Sequence, residues 1–467
     1  MLESIRARLV QHDQLHLLAH WSQLMPPQQR SLLRQIEGVD LELIARLHHG
    51  GAQHDNWREL AARAEPPPAI RLNSTERRAK AAEALRAGGE AIAAGKVGAV
   101  LVAGGQGTRL GFPQPKGMYP IGPLSQAPLF QILLEKLWAC SRRYGVAIPL
   151  YLMTSSATHE ETVAYLKERK NFGLAAEQVR IFCQGAMPAV DAATGQILLA
   201  APDQIAFSPD GHGGLLAALQ ASGSFDELRR RGIEQLFYFQ IDNPLLAMCD
   251  AEFLGHHLLA RSEASTQVVA KRTARDPVGN VVQIDGRLQV IEYSDLNPLE
   301  DAIVERRGPD GTPVFWAGST AIHVFDVALL ERAAASGTAL PFHVAKKKVD
   351  SINAKGELVK PASENALKFE RFIFDLLPFA RRGIVYEIDE PTQFAPVKNA
   401  PGKGKDTPEI VQQQMMQVHR QWLTSAGATV RAGARVEISP RYALDAADVK
   451  ARITPGTQIE EDCYFTE

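Results

Sequence analysis

The sequence predicts an α/β fold: a mostly parallel, mixed sheet with helices on both faces. Three observations carry that prediction. From residue 97 onward, short apolar runs alternate with helical segments, as strands joined by crossover helices do. One of these runs empties directly into a glycine-rich loop, Val100-Leu-Val-Ala-Gly104-Gly105-Gln-Gly107-Thr-Arg109-Leu-Gly111, with Lys116 close behind. A single Asp285-Gly286 pair stands between two β-rich runs, 281–284 and 287–292, which marks an antiparallel hairpin beside the parallel strands.

The elements follow in chain order. Residues 1 to about 62 read as helices rich in Leu, Gln and His. Pro66-Pro67-Pro68 breaks that pattern as a linker. A helix over 75–94 comes next, with Asn73 or Ser74 as its N-cap. Alternation begins at Val97, with a strand in the apolar run before the glycine loop and further strands predicted at 148–153, 179–183, 236–241, 267–270 and 383–388, and a helix over 129–144. The helix after Thr158 carries the pattern of a capping box, Thr158 with Glu161. Lys368 falls in a stretch that reads as helical, and 402–408 reads as a joint before a small terminal region. The domain boundaries expected are a helical region over 1–94, a catalytic domain over 95–400 and a small region over 401–467.

Composition narrows the function. A chain of 467 residues that is 45% hydrophobic can bury a sizeable core. A net charge of -2 argues against nucleic acid as the partner. No apolar run is long enough to cross a membrane, and the start lacks a signal peptide's apolar core. Cys140, Cys183, Cys249 and Cys463 are scattered without metal-ligand spacing, as expected of reduced thiols in a cytoplasmic protein. The oligomeric state is not legible.

The glycine loop carries most of the chemistry. Consecutive backbone N–H groups in such a loop form an anion-binding concavity. Arg109 and Lys116 add positive charge beside it. It is not a Walker loop, because no Lys follows Gly107 or Gly111, and Leu110 stands where a dinucleotide fingerprint needs its third glycine. Asp242 ends an apolar run, where a carboxylate can share Mg²⁺ with phosphate oxygens or simply form a turn with Asn243-Pro244.

The loop and its continuation Pro115-Lys116-Gly117-Met118-Tyr119 resemble the UDP-sugar pyrophosphorylases of the eukaryotic type, and among them the acetylhexosamine branch. The likeness is densest over 97–405. It implies a Rossmann-like nucleotidyltransferase core that binds UTP and a sugar 1-phosphate, with Mg²⁺, and joins them with release of pyrophosphate. It also implies roles. Val102, Ala103, Gly104, Gly105, Lys116, Gln184, Gly211, His212 and Asp242 would hold the nucleotide. Arg109, Lys116 and Lys398 would serve catalysis. Gly279, Glu292, Ser319, Lys368, Phe372 and Phe374 would line the sugar.

Two positions depart from that branch. His212 and Ser319 stand where its members carry asparagine. N-acetylglucosamine 1-phosphate is therefore the expected sugar, with UDP-glucose or broader UDP-sugar synthesis as the alternative. A glycosyltransferase is a weaker reading, since no Asp-x-Asp occurs. A non-catalytic UDP-sugar binder would not need both Arg109 and Lys116.

Overall fold

In the computed structural model, residues 2–51, 57–336 and 340–467 are described. The chain folds into two compact units that interleave along the sequence. The smaller gathers Met1–Asn56, Gln184–Ala217 and Thr338–Asp375, and the larger gathers Trp57–Cys183, Ala218–Gly337 and Leu376–Glu467.

The larger unit is built on a ten-stranded sheet. Its strands are β1 (Ala69–Ile70), β2 (Val97–Val102), β3 (Leu150–Thr154), β4 (Val179–Cys183), β5 (Gln235–Gln240), β6 (Ala264–Ala270), β7 (Asn280–Ile284), β8 (Arg287–Ile291), β9 (Ala317–Asp326) and β10 (Gly383–Glu387). The spatial order is β1-β10-β6-β9-β5-β2-β3-β4, with the β7–β8 hairpin attached to β9. Only β9 and the hairpin run antiparallel to their partners. β2, β3 and β5 are buried almost throughout, as a parallel sheet covered on both faces requires. The helix Leu129–Tyr144 covers the sheet with Leu129, Phe130, Leu133 and Leu137.

Topology places the business end. After β2 the chain crosses to β3 and β4 on one side, whereas β5 lies on the other side of β2. Such a switch point opens a crevice beyond the carboxyl ends of the strands. The register pairs Val102 with Gln240, and the Ile241 N–H donates to the Val102 carbonyl at 3.1 Å. The glycine loop and Asp242 therefore leave the sheet side by side.

In the smaller unit, helices Leu2–Gln11, Pro26–Glu37 and Leu41–Arg46 bury Ile5, Leu9, Leu32 and Ile36 in one core with Val190, Ile197 and Phe369. A three-stranded sheet joins His343–Lys347, Ala366–Glu370 and Val190–Asp191.

Two local expectations are corrected, and a third element is extended. Lys368 lies on the strand Ala366–Glu370, paired with Ala345, and not on a helix. Its stretch is rich in helix formers, but cross-strand pairing with a segment some twenty residues away decides its state. Thr158 precedes the helix His159–Glu168 without a side-chain cap; its hydroxyl instead accepts from the Ser155 N–H at 3.2 Å. The proline-rich linker leads straight into β1, a strand at the sheet edge paired in parallel with β10.

Candidate active site

The carboxyl edge of the larger unit collects cations. Within the glycine loop, Gly107 and Lys116 N–H groups donate to the Gln114 and Gly105 carbonyls at 2.9 and 3.1 Å. From the end of β3, the Ser155 hydroxyl donates to the Gly104 carbonyl at 2.7 Å. Gly105 is exposed, and a Cβ added there would meet nothing within 4 Å. The loop is thus pinned on both flanks and open at its tip. Gly117 seats the lysine: a Cβ there would lie 2.3 Å from the Phe130 ring, so only glycine lets this turn pack down.

Lys116 Nζ lies 3.5 Å from an Asp242 carboxylate oxygen, with the two side chains 16% and 17% exposed. Burial lowers the Lys116 pKa. Asp242 opposes that shift, while Lys398 and Arg109 deepen it by like-charge repulsion. Those electrostatic partners bring all four predicted charged residues to one place. Lys398 arrives because the Val397 N–H donates to the Asp242 carbonyl at 2.9 Å. The turn at 400–406 then folds back, with the Asp406 carbonyl accepting from the Lys398 N–H at 2.8 Å. Three cations against one carboxylate, partly withdrawn from water, make a site that is electrostatically incomplete without an anion.

A second patch of the larger unit lies where β7, β8 and β9 meet. The Ser319 N–H donates to the Gly279 carbonyl at 2.8 Å, and a Cβ on Gly279 would lie 3.1 Å from Glu292 Oε1. The Ser319 hydroxyl accepts from the Ala321 N–H at 3.3 Å. Gly279, Glu292 and Ser319, forty residues apart in sequence, are therefore neighbours. Lys271, at the end of β6, donates to the Ala274 carbonyl at 2.6 Å and to the Asn280 side chain. Burial lowers its pKa to about 8, with Asp276 opposing and Lys405 assisting.

In the smaller unit the predicted residues form a cradle around Asp210. The Gln184 amide donates to Asp210 Oδ1 at 3.4 Å and to the Gly211 carbonyl at 3.3 Å. Burial raises the Asp210 pKa, against Arg371 and the Gln184 hydrogen bond. Gly211 has φ +83, and a Cβ there would lie 2.3 Å from the Arg371 carbonyl oxygen, so both conformation and space demand glycine. His212 stacks on Phe372, with ring centroids 5.2 Å apart, and meets Phe374 edge-on at 5.8 Å. Its Nδ1 accepts the Ile373 N–H at 3.0 Å, so the ring proton resides on Nε2. Burial, with repulsion from His343, lowers its pKa to about 4. His212 is therefore a neutral donor at neutral pH. Lys368 is half-buried on its strand, three residues before Arg371.

Several residues of these clusters carry no sequence signal. Asp210 and Arg371 are a buried acid and a base 161 residues apart, with atoms 3.9 Å apart. His343 and Asp375 pair at 2.9 Å behind Phe372. Lys271 follows an apolar run, as Asp242 does, and that position was the signal available. Among the described residues no group of three His, Cys, Asp or Glu side chains could hold a metal ion by itself.

The chain is similar to known proteins over most of its length. A family model described as UTP–glucose-1-phosphate uridylyltransferase matches residues 62–435. The chain is 34% identical over 444 residues to the UDP-N-acetylhexosamine pyrophosphorylase-like protein 1 of Homo sapiens, covering 91% of this chain and 86% of the relative. It is 34% identical over 451 residues to the UDP-N-acetylglucosamine pyrophosphorylase of Saccharomyces cerevisiae, covering 92% and 93%. The crystal structure of the UDP-N-acetylglucosamine pyrophosphorylase of Trypanosoma brucei, in complex with inhibitor, superposes with a TM-score of 0.79 at 25% identity, covering 98% and 97%.

Proposed function

The chain belongs to the UTP–glucose-1-phosphate uridylyltransferase family, and from that premise we propose that it joins UTP to N-acetylglucosamine 1-phosphate, releasing pyrophosphate. It is an enzyme of the uridylyltransferase class. The observation that carries the reading is the meeting of Arg109, Lys116 and Lys398 around Asp242 at the carboxyl edge of β2 and β5. Two polyanions must be brought together in this reaction, and an excess of fixed cations offsets their repulsion.

An oxygen of the sugar phosphate forms a bond to the α-phosphorus of UTP, and the bond to the β-phosphate bridging oxygen breaks. The electron pair leaves with pyrophosphate. A phosphate monoester has its second pKa at about 6, so the nucleophile is already ionised at neutral pH and no general base is required. Lys116 and Arg109 take the triphosphate, and Lys398 takes the sugar phosphate. Val102, Ala103, Gly104 and Gly105 provide the backbone against which the nucleotide lies. Gln184, Gly211 and His212 address the base end, with the Gln184 amide fixed by Asp210. Gly279, Glu292, Ser319, Lys368, Phe372 and Phe374 address the sugar.

Asp242 is the group fitted to Mg²⁺. A single carboxylate suits a hard cation that completes its shell with phosphate oxygens and water, and it does not suit a metal held by protein alone. When bound, Mg²⁺ would neutralise phosphate charge in the transition state. Cys140, Cys183, Cys249 and Cys463 form no disulfide, which suits a reducing compartment, and we place the enzyme in the cytoplasm. No helix among the described residues is long and apolar enough to cross a membrane.

His212 and Ser319 favour a wider sugar range as the second reading. The His212 acceptor nitrogen is engaged by the Ile373 N–H, and Ser319 offers a single hydroxyl in place of an amide's separate donor and acceptor groups. The test is pyrophosphate release from UTP on addition of each sugar 1-phosphate. Release with N-acetylglucosamine 1-phosphate supports the first reading, and equal release with glucose 1-phosphate supports the second. Transfer from UDP-sugar to an acceptor, with no pyrophosphate formed, would overturn both.

A further inference from the structure

Backbone bonds tie Ile241 to Val102 and Asp242 to Val397, but the turn that follows Asp242 is held by side chains. Residues 241–250 contain no helix or strand. Asn243, 3% exposed, secures one flank. Its amide donates to the Gln393 carbonyl at 2.8 Å, and its oxygen accepts from the Leu245 and Ala395 N–H groups at 3.2 and 3.1 Å. The other flank faces the helix Leu129–Tyr144. There Lys136 Nζ donates to the Pro244 carbonyl at 2.6 Å and the Leu246 carbonyl at 2.9 Å, and one turn on, Cys140 Sγ donates to the Met248 carbonyl at 3.7 Å. Three alternate carbonyls are thus taken by donors spaced i, i+4 on one helix face.

Leu245, Leu246 and Met248 pack into the core of the sheet, but that packing leaves a gap. Lys136, Pro244, Leu245, Leu246 and His419 line a cavity of about 280 Å³ beneath the turn. An ammonium withdrawn from water without a carboxylate partner is costly. Burial lowers the Lys136 pKa to about 7. Nearby His419 is held neutral, its pKa lowered to about 3 by burial and by repulsion from Lys136. A leucine or methionine would fill the same space more cheaply, so the lysine is explained by what it holds.

We propose that Lys136 is a positioning residue for uridylyl transfer: it clamps the Pro244 and Leu246 carbonyls and so fixes the turn that presents Asp242 to the phosphates. This rests on the role given to Asp242 above. Asn243 ties the same turn to the segment bearing Lys398, so the clamp sets the spacing of both charged groups. Cys140 serves only the far end.

The experiment compares Lys136→Met, Lys136→Arg and Asp242→Asn with the wild type. Steady-state kinetics are combined with hydrogen exchange of the peptide over 243–249, below the unfolding transition of each variant. Lys136→Met should lower kcat by about 10- to 100-fold, as loss of a supporting contact at a metal or phosphate site does. KM for the sugar phosphate should stay within about twofold, because uniform binding is untouched. Exchange over 243–249 should quicken while that over 97–102 does not. Lys136→Arg restores donors and should regain most of the rate. If Asp242→Asn is impaired while Lys136→Met turns over normally, or if exchange at 243–249 is unchanged, the proposal is overturned. If Asp242→Asn is active as wild type, the reading of Asp242 fails instead, and the exchange result still decides the clamp. Should Lys136→Met not fold, Lys136→Gln, which keeps a donor for one carbonyl, is measured against the same outcomes.

Discussion

The carboxyl edge of β2 and β5 and the cradle around Asp210 are built on opposite plans. At the sheet edge, Lys116, Arg109, Lys398 and Asp242 meet as charges, partly withdrawn from water, on turns that follow strands. In the cradle, Gln184, Gly211, His212 and Phe372 meet through amide, ring and backbone contacts around one buried acid and base, Asp210 and Arg371. On the proposed function, the difference divides the labour of these residues. Charge accelerates phosphoryl chemistry but discriminates little among sugars. Neutral hydrogen bonds and ring faces discriminate but do little for the rate.

The most severe way to break that division is at Lys116. Lys116→Ala should lower kcat by about 10²- to 10³-fold, while UTP affinity measured by calorimetry falls far less. Comparable losses in both would make Lys116 a binding group and erase the contrast. Asp242→Asn keeps size and removes charge. It should cost about 10- to 100-fold in activity, with a matching rise in the Mg²⁺ concentration at half-maximal rate. A superimposable Mg²⁺ titration would make Asp242 a turn residue.

Away from the charged edge the effects are smaller, and at the β7–β9 patch they concern selectivity. Ser319→Asn should shift the ratio of kcat/KM for N-acetylglucosamine 1-phosphate over glucose 1-phosphate toward the acetylated sugar by about tenfold. An unaltered ratio would remove Ser319 from sugar selection. The smallest effect is on stability. His212 has a folded-state pKa of about 4 against an ordinary value of 6.5. Its depressed pKa means that the unfolded chain takes up the proton first as pH falls. Stability attributable to the neutral ring is therefore intact above pH 6.5 and is lost progressively down to pH 4, amounting to about 1 kcal/mol at pH 5.5. In urea melts, His212→Asn should show a shallower loss over that window than the wild type. Parallel curves would deny the buried, neutral ring.

The two regions also differ in how far the sequence reveals them. The glycine loop, Lys116 and the run before Asp242 are legible because strand, turn and charge follow one another within a few residues. The β7–β8 hairpin is legible for the same reason, through Asp285-Gly286. The cradle is not. Asp210 meets Arg371 only through a fold that joins distant segments, and the strand bearing Lys368 exists because it pairs with His343–Lys347. Local propensity there points to helix and loses to that pairing. Lys136 is hidden for another reason: a lysine on an amphipathic helix ordinarily faces water, and nothing near it in sequence tells of the carbonyls it holds. Gln184, Phe372 and Phe374 became candidates through family likeness, not through their spacing.

The central claim is that a uridylyl group passes from UTP to a sugar 1-phosphate, and following the α-phosphorus tests it most directly. With UTP labelled at that phosphorus, the label should appear in UDP-N-acetylglucosamine only when N-acetylglucosamine 1-phosphate is present, and the pyrophosphate released should carry none. Label retained in UTP, or passing to UMP whether or not the sugar phosphate is added, would contradict the account.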